Sequence, residues 1–369
     1  MTEKTSRNDK IDPWGSMKIE DYSKVVKQFG ISSFLDVIKK VPQPHKFMLR
    51  NIIYGHRDFG RVADAMASGK KFVMLTGLMP SGKFHFGHKM IADQIIYYQK
   101  MGAEVYICVA DIEAYTTRGL SMKEIEKLAI EEYLLNYIAL GIKPDKCHFY
   151  FQSKENAKYQ TLSKMISKHV TFNELKAIYG GDSLTPSKIM SALTQVADIL
   201  YPQMEQGRCP TVVPVGTDQD PHIRLTRDIA SRFKEFKFLP PSSTYNKFMS
   251  GLQGGKMSSS KIESYIALTD TPADARKKVM RALTGGRETL EEQKKKGGQP
   301  HKCAIYELYT YHLMDDDGEL KNVYDDCVAG KLMCGDDKKH CADLIAKFLE
   351  KHHDKRERAR KDVGKFIKD

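Results

Sequence analysis

The first part of the chain, up to residue 59, carries apolar residues at helical spacing. The apolar positions are Tyr22, Val25, Val26 and Phe29 on one helix face, and Phe34, Leu35 and Ile38 on the next. Residues 1–15 are charged and poor in aliphatic side chains, which predicts disorder. The pattern therefore predicts a small helical N-terminal extension over residues 1–59, packed on the domain that follows.

A different pattern, of short apolar runs separated by amphipathic stretches, begins at about residue 60. The apolar runs lie at residues 72–75, 105–110, 147–151 and 211–216. Ser121 and Glu124 form a capping box that opens a long helix, and Gly141 is placed to end it. Strands that alternate with helices predict an α/β domain over residues 60–270, built on a parallel sheet with helices on both faces.

After residue 271 the apolar spacing is helical throughout. We expect helices over residues 272–283, 301–314, 319–329 and 336–368, with a polar, glycine-containing segment at 285–302 between the first two. These elements predict an all-helical C-terminal domain over residues 271–369.

The last of these helices is strongly basic. Its basic residues are Lys351, His352, His353, Lys355, Arg356, Arg358, Arg360, Lys361, Lys365 and Lys368. The chain as a whole has a formal net charge of +12, which favours a polyanionic partner. The basic face is either an ordinary solvated surface or one that follows a nucleic-acid backbone.

Nothing in the composition indicates a membrane or secretion. No apolar run approaches ~20 residues, and residues 1–12 are polar, without an apolar signal core. The seven cysteines are scattered and odd in number, which is typical of reduced thiols in a cytoplasmic protein. Cys327, Cys334 and Cys341 recur every seven residues, but without CxxC pairs they indicate thiols on helices and no metal site.

Polar residues collect directly after the predicted strands, in loops at residues 77–88, 111–115 and 216–222. In open α/β sheets ligands bind at these carboxyl ends of the strands. The first loop runs into His85-Phe86-Gly87-His88 at a helix start, where unpaired backbone N–H groups suit a phosphate. Because the loop has neither a dinucleotide fingerprint nor a P-loop ending, it would bind a nucleotide in another way.

A second candidate for phosphate binding lies at residues 251–261. This stretch contains three glycines, two lysines and three consecutive serines, with almost no apolar anchor. It is either a flexible surface linker or a mobile phosphate clamp, in which an ammonium group and hydroxyls bind the oxygens. The residue pattern alone leaves both interpretations open.

Taken together, the two loops resemble the two signature sequences of class I aminoacyl-tRNA synthetases. The matching residues are Pro80-Ser81-Gly82 followed by His85-Phe86-Gly87-His88, and Lys256-Met257-Ser258-Ser259-Ser260. Their order, and their separation by a whole α/β domain, match that family. The resemblance implies a Rossmann-like, doubly wound catalytic domain and a helical C-terminal domain that binds the tRNA anticodon.

Within that family, the chain is most similar to the tryptophan enzymes of archaea and eukaryotes. The matching stretches are Asp12-Pro13-Trp14, His56-Arg57-Asp58, residues 216–228 and Gly285-Gly286-Arg287. The resemblance implies ATP-dependent ligation of L-tryptophan to tRNA(Trp) through a tryptophanyl-adenylate, with release of AMP and pyrophosphate. A tyrosine enzyme, and a synthetase-like protein that does not aminoacylate, are the alternatives.

The same resemblance implies an ATP site made from both signature sequences. His85 and His88 would donate to the phosphates and form the catalytic set with Lys256 and Ser258. Gly87 would let the adenine ring approach the backbone. The expected ATP-binding residues are Pro80, Ser81, Gly82, His85, Gly87, His88, Gly216, Asp218, Lys256, Met257, Ser258, Ser259 and Ser260. Mg²⁺ is expected as a phosphate counterion, without a protein cage.

The expected tryptophan-binding residues are Leu75, Gly77, Cys108, Glu113, Gln195, Asp198 and Gln219. Eukaryotic tryptophan enzymes have a tyrosine and a glutamine in place of Leu75 and Cys108, and those residues bond the indole N–H. The stretch around Gln195 and Asp198 instead resembles bacterial tryptophan enzymes and the tyrosine enzymes. We therefore expect Asp198 to accept the indole N–H.

The remaining polar groups of the site have two possible roles each. Glu113 or Gln219 is expected to hold the α-ammonium group of the amino acid, and Asp218 is expected to meet the ATP ribose or that same ammonium. By family resemblance, the protein is also expected to form a homodimer.

Overall fold

The protein is built around one seven-stranded sheet. The computed structural model describes residues 22–179, 184–255, 257 and 261–367. The strands are β1 (Ser32–Ser33), β2 (Ile53–Arg57), β3 (Val73–Leu78), β4 (Glu104–Val109), β5 (Cys147–Phe151), β6 (Thr211–Val215) and β7 (Ser242–Asn246).

The α-helices of the described residues alternate with these strands and then form the C-terminal part alone. They are α1 (Tyr22–Phe29), α2 (Lys46–Leu49), α3 (Gly60–Ala67), α4 (Phe86–Lys100), α5 (Asp111–Arg118), α6 (Met122–Leu128), α7 (Leu135–Leu140), α8 (Ala157–Ile166), α9 (Phe172–Tyr179), α10 (Pro186–Gln206), α11 (Asp220–Arg232), α12 (Pro272–Met280), α13 (Leu290–Lys296), α14 (Ala304–Leu308), α15 (Asp317–Val328) and α16 (Cys334–Ala359). None of them is long and apolar enough to cross a membrane.

The strand order is β1-β2-β7-β6-β3-β4-β5, and the five strands from β7 to β5 run parallel. The chain moves outward from β3 to β4 and β5, and then returns to place β6 on the other side of β3. This reversal opens a crevice at the carboxyl ends of β3 and β6. The prediction of a Rossmann-like α/β fold is confirmed.

The spacing of apolar residues predicted a helical N-terminal extension, but the extension also contains two strands. Strands β1 and β2 lie within it, and β2 pairs antiparallel with β7. Every residue of β7 is buried although it consists of Ser-Ser-Thr-Tyr-Asn. Its serine hydroxyls are satisfied inside the fold, with Ser242 donating to the carbonyl of Asp58 and Ser243 bonding to Tyr245. Tertiary contacts stabilise this strand. Because it contains so few aliphatic side chains, no local hydrophobic pattern in the sequence identifies it as a strand.

The C-terminal helices share one hydrophobic core with the α/β part. Phe84 and Phe86, which flank His85, belong to the same buried cluster as Ile305 and Ile345 from α14 and α16. The predicted helix that follows Ser121 is continuous to Gly141, whose φ of +120° ends it, but residues 129–134 are wound as a π-helix. The segment at 285–302 contains the additional helix α13.

Part of the basic face of the last helix is turned toward the protein interior. The sequence had suggested either a solvated surface or a nucleic-acid-binding surface, and neither describes these inward-facing residues. His352 is buried and bonds to Asn136 at 2.7 Å, while Arg356 donates to the carbonyl of Glu131 at 2.5 Å. Arg360 forms a bidentate ion pair with the Glu131 carboxylate. These basic side chains hold α16 and the turn after it against the π-helical segment and α7. The charge of the local sequence did not reveal this structural role.

Arg57 ties the extension to α11 through a buried ion pair. Its guanidinium donates to both carboxylate oxygens of Asp220, at 2.8 and 3.0 Å, and to the carbonyls of Phe29 and Gly30. Asp220 is 0% exposed. A buried carboxylate needs such a partner, because desolvation otherwise penalises its charged form.

Replacing Arg57 by alanine should therefore lower the free energy of unfolding by about 3 kcal/mol, because the buried Asp220 would keep only the Tyr245 hydroxyl and the more exposed Arg224 as partners. Urea unfolding followed by circular dichroism measures the change. Arg61→Ala is the matched control, because Arg61 is exposed and close in sequence. Equal stability of the two variants would show that the Arg57 ion pair contributes nothing.

Candidate active site

A cavity of about 460 Å³ opens at the carboxyl ends of β3, β4 and β6. It is within the size range of small-molecule sites. The sequence-predicted residues that line it are Leu75, Gly77, His88, Cys108, Glu113, Gln195, Asp198, Gly216 and Gln219. Sequence reasoning therefore located the cavity, including every residue proposed for the amino acid.

The other predicted residues lie outside the lining of this cavity. Among the described residues these are Pro80, Ser81, Gly82, His85, Gly87, Asp218 and Met257. Lys256, Ser258, Ser259 and Ser260 lie outside the described residues, as do Asp12, Pro13 and Trp14. Their roles stay predictions.

His85 and His88 fix each other at the start of α4. His85 is the N-cap, and its Nδ1 accepts the backbone N–H of Gly87 at 3.1 Å. In return, Nδ1 of His88 accepts the backbone N–H of His85 at 3.2 Å. The two rings stack with their centroids 3.9 Å apart. Because both Nδ1 atoms act as acceptors, both neutral rings carry their proton on Nε2.

Burial keeps both histidines uncharged at neutral pH. It lowers the pKa of His85 to about 4, and it lowers the pKa of His88 well below its usual value, with a further contribution from neighbouring His85. The pair thus offers neutral Nε2–H donors at a helix N-terminus. Such donors can stabilise charge that develops on a phosphate, whereas a general base would need to exchange a proton near neutral pH.

Gly87 is required by close packing between the two signature sequences. A Cβ at this position would lie 2.9 Å from the His85 ring and 3.2 Å from the sulfur of Met257. Met257 also packs partly buried against the main core. Met257, the second residue of the second signature sequence, is therefore held against the first signature sequence.

The polar groups on one side of the cavity suit the backbone of an amino acid. Gln195 donates to Gln219 at 3.1 Å, so the two amides are fixed relative to each other. The carboxylate of Glu113 faces the cavity and has no hydrogen-bond partner among the described residues, and burial raises its pKa. Gly216 must be a glycine here, because a Cβ would lie 2.6 Å from Oδ1 of Asp218 and from the ring of Phe248.

Asp198 is a buried carboxylate surrounded by donors at the other side of the cavity. Oδ1 accepts from Tyr150 at 2.9 Å and Tyr159 at 2.6 Å, and Oδ2 accepts from Gln152 at 2.7 Å. The thiol of Cys108 also bonds to it. Burial raises the pKa of Asp198 to about 6, although these donors act in the opposite direction.

Asp111, at the end of β4, has a structural environment. It is 2% exposed and accepts from the backbone N–H groups of Ile112 and Ser153 and from the Ser153 hydroxyl. Its carboxylate joins the ends of β4 and β5. Asp111 therefore has a capping role in this loop, whereas the carboxylate of Glu113 faces the cavity.

Sequence reasoning missed several lining residues, among them Gln152, Tyr179, Ser191 and His222. Gln152 could have been found, because it directly follows the predicted strand at 147–151, as the other candidate loops follow theirs. Tyr179 and Ser191 lie on helices remote from any strand end, and no local signal marks them. Only the packing of α9 and α10 brings them to the cavity.

Comparison with known proteins places this geometry in a family. The family model described as class I tRNA synthetases (W and Y) matches residues 67–350. A tryptophan–tRNA ligase of Hyperthermus butylicus is 50% identical over 366 residues, which cover 97% of this chain and 98% of that protein. One from Methanocaldococcus jannaschii is 49% identical over 362 residues, with coverage of 97% and 98%.

A solved structure gives the same result for the fold. The tryptophanyl-tRNA synthetase of Aeropyrum pernix superposes with a TM-score of 0.91 at 46% sequence identity, covering 97% of this chain and 99% of that chain. The match spans the sheet, the paired histidines and the C-terminal helices alike. The chain therefore belongs to the class I tRNA synthetases of the tryptophan and tyrosine group.

Proposed function

We propose that this protein ligates L-tryptophan to tRNA(Trp) at the expense of ATP, through a tryptophanyl-adenylate, and releases AMP and pyrophosphate. The observation that carries the proposal is the identity of about half of all residues with tryptophan–tRNA ligases over 97% of the chain. The cavity supports the proposal, since His88 both lines it and belongs to the histidine pair at the start of α4. The tyrosine enzyme and the protein without aminoacylation are less well supported.

In the first step, the carboxylate of tryptophan attacks the α-phosphorus of ATP in line with the leaving pyrophosphate. This chemistry needs positioning and neutralisation of charge, and no covalent nucleophile. Glu113 accepts from the α-ammonium group, assisted by Gln219, and the Nε2–H groups of His85 and His88 donate to the phosphates. Asp218 binds the ribose of ATP.

Lys256 and the three serines after it bind the pyrophosphate side. Mg²⁺ accompanies ATP as a counterion. Among the described residues no three His, Cys, Asp or Glu side chains are grouped to hold a metal ion, so its ligands would be phosphate oxygens and water.

In the second step, the terminal ribose of tRNA takes the aminoacyl group, while residues 271–369 bind the anticodon. Lys351, Lys355 and Arg358 lie on the exposed side of α16, one helical turn apart. They can follow the phosphate backbone, in contrast to the inward-facing residues of the same helix. We also propose that the protein acts in the cytoplasm as a homodimer.

The amino-acid specificity is tested by exchange of labelled pyrophosphate into ATP, with each of the standard amino acids in turn. Tryptophan should support exchange, and tyrosine should support at least a hundredfold less, because the site is shaped for the larger ring. Exchange with tyrosine alone would establish the tyrosine enzyme. No exchange with any amino acid, in protein that binds ATP, would favour the alternative that does not aminoacylate.

Replacing Lys256 by alanine should slow adenylate formation by about a hundredfold or more, because a positioned donor to the pyrophosphate would be lost. Tryptophan binding, measured by equilibrium dialysis without ATP, should hardly change. Lys277→Ala, which removes an exposed lysine that does not line the cavity, is the control. If Lys256→Ala weakened tryptophan binding as much as it slowed the reaction, the loop would have a structural role only.

Tryptophan binding should weaken as the pH falls through about 6, where Asp198 takes up a proton. A protonated Asp198 cannot accept from all of its four donors, so the wall of the cavity is disturbed. The dissociation constant should rise by about tenfold per pH unit below 6. Equilibrium dialysis between pH 5 and pH 8 measures it, and Asp198→Asn should flatten the profile.

The expected loss of tryptophan binding at low pH does not come from unfolding of the protein on protonation of Asp198. Its pKa is higher in the folded protein than the ordinary value of 3.8, so the folded state binds this proton more tightly than the unfolded chain. The protonated Asp198 thus contributes to the stability of the folded protein. This contribution is fully present below pH 3.8 and is lost as the pH rises through about 6. The pKa of Glu113 is also raised, and Glu113→Gln separates its contribution. A flat profile in the parent protein would contradict the prediction.

A further inference from the structure

The lone pairs of Asp198 are already occupied by the protein. A carboxylate has about four acceptor positions. Tyr150 and Tyr159 take two of them at Oδ1, and Gln152 and the Cys108 thiol take the others. Asp198 is also only 4% exposed. It therefore has no acceptor position left for a ligand, although it lines the cavity.

Gln152 has the opposite property, because one end of its amide is open to the cavity. Its Nε2 donates to Asp198 at 2.7 Å, and an ionised carboxylate can only accept, so the orientation of the amide is determined. Oε1 must then point away from Asp198. Among the described residues no group donates a hydrogen bond to Oε1. This oxygen is not fully enclosed by protein atoms, and Gln152 lines the cavity.

The neighbouring side chains Leu75, Cys108, Tyr150 and Tyr159 are poorer hydrogen-bond acceptors than the Gln152 amide carbonyl. Leu75 is apolar and 3% exposed. Burial raises the pKa of Cys108 well above its usual value, so it remains a thiol, and its hydrogen is directed to Asp198. Tyr150 and Tyr159 both use their hydroxyl hydrogen on Asp198, and these oxygens accept only weakly compared with an amide carbonyl.

We propose that Oε1 of Gln152 accepts the indole N–H of tryptophan, and that Asp198 is a positioning residue that holds the Gln152 amide with its carbonyl toward the substrate. This inference rests on the proposed function and deepens it. It replaces Asp198 by Gln152 as the partner of the indole. Tyr150, Tyr159 and the Cys108 thiol then keep Asp198 in place through their hydrogen bonds.

An analogue in which sulfur replaces the indole N–H, β-(3-benzothienyl)alanine, tests the assignment. The measurement is kcat/KM for pyrophosphate exchange with tryptophan and with the analogue, on the same preparation of each variant. In Gln152→Met the preference for tryptophan should fall by about tenfold or more, because the acceptor is lost. The value for the analogue should change by about threefold or less.

Asp198→Asn provides a second, independent readout. Its oxygen would face the tyrosines and its NH₂ group would face Gln152, so the Gln152 amide would turn and present NH₂ to the indole N–H. The preference for tryptophan should fall as in Gln152→Met, and the double variant should be little worse than either single one. Gln160→Met is the matched control, because Gln160 donates only to the backbone carbonyl of Gln152, and it should keep the preference.

Two results would overturn the inference. One is an unchanged preference in Gln152→Met combined with its loss in Asp198→Asn, which would make Asp198 the direct acceptor. The other is an unchanged preference in both variants.

A failure of the proposed function would give a different result, since the parent protein would then show no pyrophosphate exchange with tryptophan. A ratio of two substrates on one variant is independent of the folded fraction, and thermal unfolding of each variant is recorded beside it.

Discussion

The parallel pairing of β3 with strands on both of its sides is the constraint on which the rest of the structure depends. Because β4 and β6 run in the same direction as β3, their carboxyl ends meet at one edge of the sheet. Residues far apart in the chain, such as His88, Glu113 and Gln219, consequently line one cavity. Helix α4 begins after the loop that follows β3, and His88 at its start lines the same cavity.

Buried carboxylates have three different uses around this edge. Asp220 is paired with Arg57 and connects the N-terminal extension to the helix that follows the site. Asp111 joins the ends of two strands through backbone N–H groups and a hydroxyl. Asp198 is surrounded by neutral donors, and its pKa is raised. The neighbours, more than the carboxylate itself, determine whether each of them connects elements of the fold or forms part of the cavity wall.

The C-terminal helices and the phosphate-binding loop are parts of one packed unit. Arg356 and Arg360 of the last helical region contact Glu131, and the adjacent Glu132 accepts the backbone N–H of Phe84, one residue before His85. Both glutamates lie in the π-helical segment. Two adjacent residues of one segment therefore connect the last helical region with the start of α4. A π-helical turn at such a place is consistent with the frequent occurrence of these turns near functional sites.

The sequence by itself determined the α/β class, the position of the cavity and nine of the residues that line it. Strands such as β4 and β5 are apolar enough to be recognised locally, and residues that follow a strand must lie at its carboxyl end. The tertiary structure alone decided strand β7, because polar residues such as Ser242 and Ser243 form a strand only where the fold satisfies their hydroxyls. It also decided the direction of each basic side chain on α16, and the difference between Asp198 and Gln152. Whether a polar atom is open to a ligand depends on the donors that other elements direct to it, and no local pattern contains that information.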